Sequence, residues 1–409
     1  MTVRTFVTVG AGQAAAVAAR TLRRRGFDGR IVLIGDEPHA PYQRPPLSKE
    51  FLSGAESVDS LWLLTERWLA GNDVDIVTGT TVSRVDCASR TVVLDGGSVV
   101  QADAVLFATG AAPRRLPVAG PNPELVHVLR TIDDARRLQQ ALTGGRRMVV
   151  IGGGFIGLEI AATATGLGLS VTVLEAGPLP LGNILGPQIA GLCADLHRRH
   201  GIELRTSAVV RTVRTTSDTV VVELADGTVL EADLAVVGVG VTPNVSVAAA
   251  SGLAVDGGIL VDGQGRTSIP GVYAAGDVAR RYSERLDRHV RSEHFDNANR
   301  QGAAVADAML GRDTASDDPG WFWSDQYDHN LQFCGSASTA APIIRGDVES
   351  MDFAAFYLDG GTLVGAFGVD RGEDVMAARE LIGRTLDPGV LADQDVDLWT
   401  LYETEEVAS

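Results

Sequence analysis

Apolar and polar positions along this chain follow two periods, and the same succession of periods occurs twice. Residues 5–9 form a short β-branched run, and 14–25 carry small apolar residues at helical spacing. Arg23, Arg24 and Arg25 close that stretch, where cations suit the helix dipole, and Gly26 stops it. Residues 31–34 supply the next apolar run, so strand, helix and parallel strand make one βαβ unit. Apolar stretches 92–94 and 99–101 flank Asp95, Gly96, Gly97 and Ser98, a hairpin signal. Residues 104–110 then predict a buried strand that ends on Gly110.

The second round begins at 147–151 and reaches its second strand at 171–174. A hairpin through Asp226 and Gly227 joins 220–224 to 228–231, and 235–239 is again a buried strand running into glycines. The longest apolar stretch, 148–174, has the length of a membrane helix. It is broken by Gly152, Gly153, Gly154, Gly157, Gly166 and Gly168 and contains Glu159, all of which strand–turn–helix–strand explains. Pro113, Pro117, Pro121 and Pro123 mark a linker between the rounds. After Pro243 the pattern changes. Residues 271–277 predict a strand delivering Asp277, 297–310 a helix, and 311–320 a polar loop. From Trp321 come short β-rich segments, a late helix at 375–382, and an acidic stretch, 403–409, expected to fray.

Composition narrows this picture. A chain of 409 residues accommodates two or three domains. A net charge of −17 argues against nucleic acid as a partner. Cys87, Cys193 and Cys334 have neither metal-ligand nor disulfide-motif spacing, so no metal site is expected and a reducing cytoplasm fits. The first strand starts within a few residues of Met1, which leaves no room for a signal peptide; a membrane role is not expected.

The chemistry lies in the two strand-to-helix turns. In the first, Gly10 permits the tight turn, Gly12 lets the backbone approach a pyrophosphate, and the third small residue is read as Ala14, for close helix–strand packing. The helix N-terminus offers unpaired N–H groups and partial positive charge. Asp36 and Glu37 follow the second strand, roughly 20 residues on, where an acid holds a ribose hydroxyl. The second turn has Gly152, Gly154 and Gly157, with Phe155 and Ile156 between, and Glu175 as its acid. A carboxylate there accepts a 2′-hydroxyl and repels a 2′-phosphate, and Ala176, Gly177 and Pro178 follow without an arginine, which favours NAD over NADP. Two such turns imply two dinucleotides on one protein, as in a flavoprotein that takes hydride from a nicotinamide.

With these residues in place, the chain resembles the FAD/NAD-dependent pyridine nucleotide reductases. Tyr42, Gln43, Arg44, Pro45, Pro46, Leu47, Ser48 and Lys49, then Ala108, Thr109 and Gly110, Gly276 and Asp277, and Phe322, Trp323, Ser324, Asp325 and Gln326 narrow the resemblance to the ferredoxin and rubredoxin reductases of bacterial oxygenases. The resemblance runs from about residue 5 to 393. It implies an α/β fold with two Rossmann-like, glutathione-reductase-like domains and an α+β C-terminal domain. The FAD-binding domain is expected at 1–114 and 244–318, the NAD-binding domain at 115–243, and an interface domain at 319–409.

The resemblance also assigns residues. Lys49 falls beside the flavin N5, paired with Glu159; Arg44, Ala108, Thr109, Gly110 and Gly276 belong to the FAD site; Asp277 holds the ribityl chain, and can at the same time cap the helix that follows. Arg130 contacts FAD from the interdomain crossover, Val82 the adenine end, and Phe295 the flavin edge, mainly through backbone. Trp323 covers the flavin on the exit side, and Gly238 and Gly240 approach NAD by backbone. Leu179 and Asn183 replace basic residues common in relatives after the nicotinamide acid. Disulfide-reducing members keep a cysteine pair just after the second strand; here Pro45, Pro46, Leu47 and Ser48 stand there. The implied activity is an NADH:ferredoxin reductase feeding an acidic iron–sulfur ferredoxin, or rubredoxin, as a monomer or homodimer. A quinone or radical reductase is the enzyme alternative, and a redox-sensing interaction protein the alternative of another class. Arg280, Arg281, Arg285, Arg288 and Arg291 are a candidate docking cluster for the acidic partner.

Overall fold

A computed structural model describes residues 4–314 and 317–406. Contacts group the chain into two compact units: Met1–Arg44, Ser57–Ala112 and Val241–Asp318 form one, and Pro45–Glu56, Pro113–Gly240 and Pro319–Ser409 form the other.

The first unit is built on a five-stranded parallel sheet in the order Val272–Ala274, Ala104–Phe107, Thr5–Val9, Arg30–Ile34, Val74–Val77. Its central strands are buried on both faces, which is why they read as continuous apolar runs rather than alternating ones. Helix Gln13–Arg24 lies against helix Phe295–Met309, and the approach is close at Gly302, where a Cβ would come within 2.5 Å of the Ala14 carbonyl oxygen. The expected hairpin forms, with Gly97 N–H donating to the Leu94 carbonyl at 3.0 Å.

The second unit repeats this plan. Its parallel sheet runs Val126–His127, Leu234–Val237, Arg147–Ile151, Ser170–Leu174, Glu203–Arg205. The stretch 148–174 folds as strand, helix Phe155–Gly166 and strand, and no helix among the described residues is long and apolar enough to cross a membrane. Two long helices escaped the apolar pattern. Ile132–Gly144 starts at a Thr131–Asp134 capping box, and Gly182–Arg199 contains a break at Gly186 and Pro187. The C-terminal part is a five-stranded antiparallel sheet, in the order Trp321–Gln326, His329–Gly335, Thr362–Val369, Asp352–Asp359, Ile343–Asp347, backed by helix Gly372–Leu381. Helix Leu398–Glu406 takes up the start of the acidic stretch that was expected to fray, and 407–409 lie outside the described residues.

Candidate active site

Each glycine turn sits where the central strand of its sheet hands over to a helix. Gly10 has φ +105°, and a Cβ on it would stand 2.2 Å from the Ala108 carbonyl oxygen. Gly152 has φ +112°, and a Cβ there would stand 2.3 Å from the Gly238 carbonyl oxygen. Only glycine fits either place, for reasons of space and of backbone conformation. Gly12 and Gly154 are the helix N-caps; nothing lies within 4 Å of a Cβ built on either. Neither helix has a side-chain cap or an acid in its first turn, so the N–H groups face an open, electropositive cradle suited to a dinucleotide pyrophosphate. Gln13 Oε1, in the first helical turn, is buried without a hydrogen-bond partner.

The structure corrects the third position of the first turn. Gly157 is the third residue of its helix, and a Cβ on it would meet the Gly152 carbonyl at 2.2 Å. The third residue of the first helix is Ala15, fully buried, and not Ala14. Ala14 instead packs toward Gly276 and Gly302.

The acids differ between the turns. Glu175 immediately follows its strand; its carboxylate accepts N–H bonds from Gly153 at 2.9 Å and Gly177 at 2.6 Å. It borders a cavity of about 280 Å³ with Gly153, Gly154, Leu179, Leu181 and Asn183, and no basic residue lines it. In the first unit, Asp36 is exposed, while Glu37 accepts from the Tyr42 hydroxyl and from Arg44 Nη2 at 2.6 Å.

The other residues of the first unit fall as follows. Val82 has its side chain in the core, so only its main chain can meet a ligand. Ala108 is buried, Thr109 Oγ1 donates to the Asn244 carbonyl at 2.8 Å, and Gly110 takes φ +64°. Gly276 has φ +78° and donates to Gln301 Oε1 at 2.8 Å. Asp277 is buried in a short 3-10 turn; it does not cap the next helix, which begins at Phe295 with His294 as N-cap. The arginine cluster is largely neutralised within the unit: Arg280 pairs with Asp256, Arg281 with Asp317 and Arg291 with Glu293, while Arg285 and Arg288 stay exposed. That pairing weakens the docking expectation.

In the second unit, Arg130 lies two residues before helix Ile132–Gly144, its N–H bonded to Asp134. Phe155 meets Phe322 edge to face at 4.7 Å, and Ile156 is 45% exposed, an apolar side chain left beside the cradle. Gly240 has φ +93°, and Trp323 Nε1 donates to Asp325 at 3.1 Å.

The most unusual chemistry is a buried ion pair. Lys49 Nζ lies 3.1 Å from Glu159 Oε1, with side-chain exposures of 9% and 6%. Neither is the solvated surface charge that a lysine at a helix start or a glutamate on a helix usually is. Burying two charges costs more than their attraction returns unless the remaining lone pairs and protons find partners. Here most of them do: Ser48 Oγ donates to Glu159 Oε2 at 2.5 Å, Ser324 Oγ to Oε1 at 2.6 Å, and Lys49 donates to the Pro45 carbonyl at 3.2 Å. Thr163 Oγ1, one turn along the helix from Glu159, donates to the Ser48 carbonyl at 2.8 Å and fixes the segment that carries Lys49. A plain signal went unread: Lys49 is the only lysine in the chain, and every other Lys/Arg position is arginine. Cys87, Cys193 and Cys334 are all buried, and none is joined in a disulfide; burial pushes the Cys193 thiol up to about 12, away from reactivity.

Residues 4–302 match the pyridine nucleotide-disulphide oxidoreductase family, and 321–402 the reductase C-terminal family. Rhodocoxin reductase of Rhodococcus erythropolis is 39% identical over 397 residues, covering 96% of this chain and 93% of that protein. The ferredoxin–NAD(+) reductase component of the anthranilate 1,2-dioxygenase system of Burkholderia cepacia is 39% identical over 400 residues, covering 97% and 98%. Among solved structures, the covalent putidaredoxin reductase–putidaredoxin complex superposes with a TM-score of 0.93 at 35% identity, covering 98% of this chain and 99% of that one.

Proposed function

The chain belongs to the pyridine nucleotide-disulphide oxidoreductase family, and from that premise we propose that it is an FAD-dependent NADH:ferredoxin reductase serving an oxygenase. Near-full-length similarity to reductases named for such systems supports this. The observation that carries it further is the Lys49–Glu159 pair beside Pro45, Pro46, Leu47 and Ser48, where disulfide-reducing relatives keep thiols. With all three cysteines buried elsewhere, no thiol relay is at hand, so a one-electron protein acceptor is the natural exit.

When bound, the flavin supplies the chemistry that turns a two-electron hydride into single electrons. The chain's residues bind and orient. Gly10, Gly12 and the N-terminus of helix Gln13–Arg24 take the FAD pyrophosphate, with Ala15, Asp36, Glu37, Arg44, Val82, Gly276, Asp277 and Phe295 completing that site. Gly152, Gly154, Gly157 and helix Phe155–Gly166 take NADH, whose ribose hydroxyl exchanges with the backbone donors now held by Glu175. Lys49 supplies positive charge where reduction builds negative charge, and Glu159 holds Lys49 in place. The domains follow as 1–114 with 244–318 for FAD, 115–243 for NAD and 319–409 for the interface. The proposed setting is a reducing cytoplasm, and the acceptor a small acidic iron–sulfur protein.

Stopped-flow reduction by NADH and NADPH, followed by a panel of ferredoxins, tests the reading. NADH is expected to reduce the flavin at least about tenfold faster than NADPH, and a ferredoxin to reoxidise it. A strong NADPH preference, or turnover with quinones and no iron–sulfur acceptor, would overturn it. Lys49→Met should slow flavin reduction about 10²-fold; an unchanged rate removes Lys49 from the reaction.

A further inference from the structure

Behind the ion pair runs a second set of buried polar groups that the proposed chemistry does not use. Ser324, Gln326 and His197 are all fully buried. Ser324 and Gln326 face one side of strand Trp321–Gln326, and His197 projects from helix Gly182–Arg199. Gln326 Nε2 donates to Ser324 Oγ at 3.0 Å, which leaves the Ser324 hydroxyl to donate to Glu159. Gln326 Oε1 can only accept, so the proton of its 2.9 Å bond with His197 resides on Nε2. The imidazole Nδ1 is then bare and accepts from the Tyr327 hydroxyl at 3.0 Å. Tyr327 stacks on the exposed His200 at 3.6 Å, where the chain of contacts meets the surface. Every donor from Tyr327 inward points the same way, and the line ends on the Glu159 carboxylate.

We propose that Tyr327, His197, Gln326 and Ser324 form a one-directional hydrogen-bond chain that keeps the Glu159 carboxylate aimed at Lys49, which makes Gln326 and His197 positioning residues for the charge pair; its bearing on catalysis rests on the function proposed above. Aligned hydrogen bonds polarise one another, and in a buried site the terminal acceptor gains most as an anion. A carboxamide between serine and histidine transmits orientation rather than protons, because neither of its groups readily gives up its proton. Burial holds His197 down at about 4, so the ring is neutral at pH 7, as the fixed tautomer requires. An imidazolium would turn Nδ1 into a donor and the Tyr327 oxygen into its acceptor, reversing that link.

The single lysine makes the chain measurable. The purified holoprotein grown on [6-¹³C]lysine gives one ε-methylene signal, and intact mass after mild amine acylation reports only Lys49 and the N-terminus. In the wild type the two ε-protons should be inequivalent, as in a fixed side chain, and Lys49 should acylate slowly. Ser324→Ala should merge the two proton shifts and speed Lys49 acylation about tenfold, and Ser324→Thr should restore both. Gln326→Leu and His197→Leu should act in the same direction, about threefold in rate. Tyr357→Phe, which removes a 2.7 Å bond to the Leu185 carbonyl from the same C-terminal sheet, should change neither. Wild-type signals in both Gln326→Leu and His197→Leu, or an equal release of Lys49 by Tyr357→Phe, would overturn the proposal. Neither readout involves NADH or an acceptor, so failure to reduce any ferredoxin with a normal Lys49 signal would count against the proposed function alone.

Discussion

The two glycine turns solve one packing problem with opposite assignments of the same atoms. In register, Val9 pairs with Ile34 and Ile151 with Leu174, so residue 35 of the first unit corresponds to residue 175 of the second, and residue 11 to residue 153. The first unit places the side chain on the turn and none on the strand end: Ala11 faces Gly35, where a Cβ would come within 2.8 Å of the Ala11 methyl. The second unit does the reverse. Gly153 leaves the space, and Glu175 fills it, its carboxylate taking the Gly153 N–H. The strand-end acid of the second turn is therefore built into the turn. In the first unit the carboxylates come one and two residues later, and Glu37 is bound to Tyr42 and Arg44. One architecture thus presents its acid in two ways, set by which partner lacks a Cβ.

The largest effect should come from the feature the turns share. Gly10→Ala and Gly152→Ala each drive a Cβ into a carbonyl oxygen and force an unfavourable positive φ. Each should cost at least about 3 kcal/mol. They should separate by ligand: flavin content and melting temperature report Gly10→Ala, whereas Gly152→Ala should keep flavin and lose reduction by NADH. Equal loss of flavin in both would break the assignment of the turns.

The complementarity itself can be tested by a double-mutant cycle. Gly35→Ala should destabilise by about 2 kcal/mol through overpacking against Ala11, and Ala11→Gly alone by about 1 kcal/mol or less. Together they transplant the arrangement of the second unit into the first, and the coupling should recover at least about 1 kcal/mol in urea unfolding. Additive losses would mean that the two residues do not share the space. At the partner site, Glu175→Gln keeps the shape and removes the charge. It should raise the KM for NADH about tenfold and shrink the preference over NADPH by a similar factor. An unchanged preference would show that the cavity walls, including Leu179 and Asn183, decide it.

Much of this comparison was legible in the residues. Both βαβ units, their turns and Glu175 follow from apolar period and glycine spacing, because local geometry dictates them. The offset between Ala14 and Ala15 was not recognised, since one alanine beside another carries no mark of which faces the strand. Asp277 seemed fit to cap a helix because an acid after a strand often does; the intervening hairpin, Ala279–Ser283 with Arg288–Val290, moved the helix away. The arginine cluster reads as a free charged surface until the fold brings Asp256 and Asp317 to it. The polar chain behind Glu159 had no local signature at all. Its links join residues 165 and 129 positions apart, and only tertiary packing puts them in hydrogen-bond range.

The smallest expected effect compares one histidine from each unit. Burial lowers His197 of the second unit and His294 of the first from 6.5 to about 4. Such a group binds fewer protons folded than unfolded across that window. Its contribution to stability is therefore complete above pH 6.5, declines as pH falls, and reaches its minimum below about 4. For His197, fully buried, the loss by pH 5.5 is about 1 kcal/mol. His294 is only partly buried, and solvent screening should make its share smaller. Urea midpoints from pH 7.5 down to 5.5 should fall in the wild type, fall visibly less in His197→Gln, and change little further in His294→Gln. A wild-type slope in His197→Gln would mean that the folded protein lets the imidazole take up its proton as the unfolded chain does, and the neutral ring on which the direction of the hydrogen bonds leading to Glu159 depends would not persist below pH 6.5.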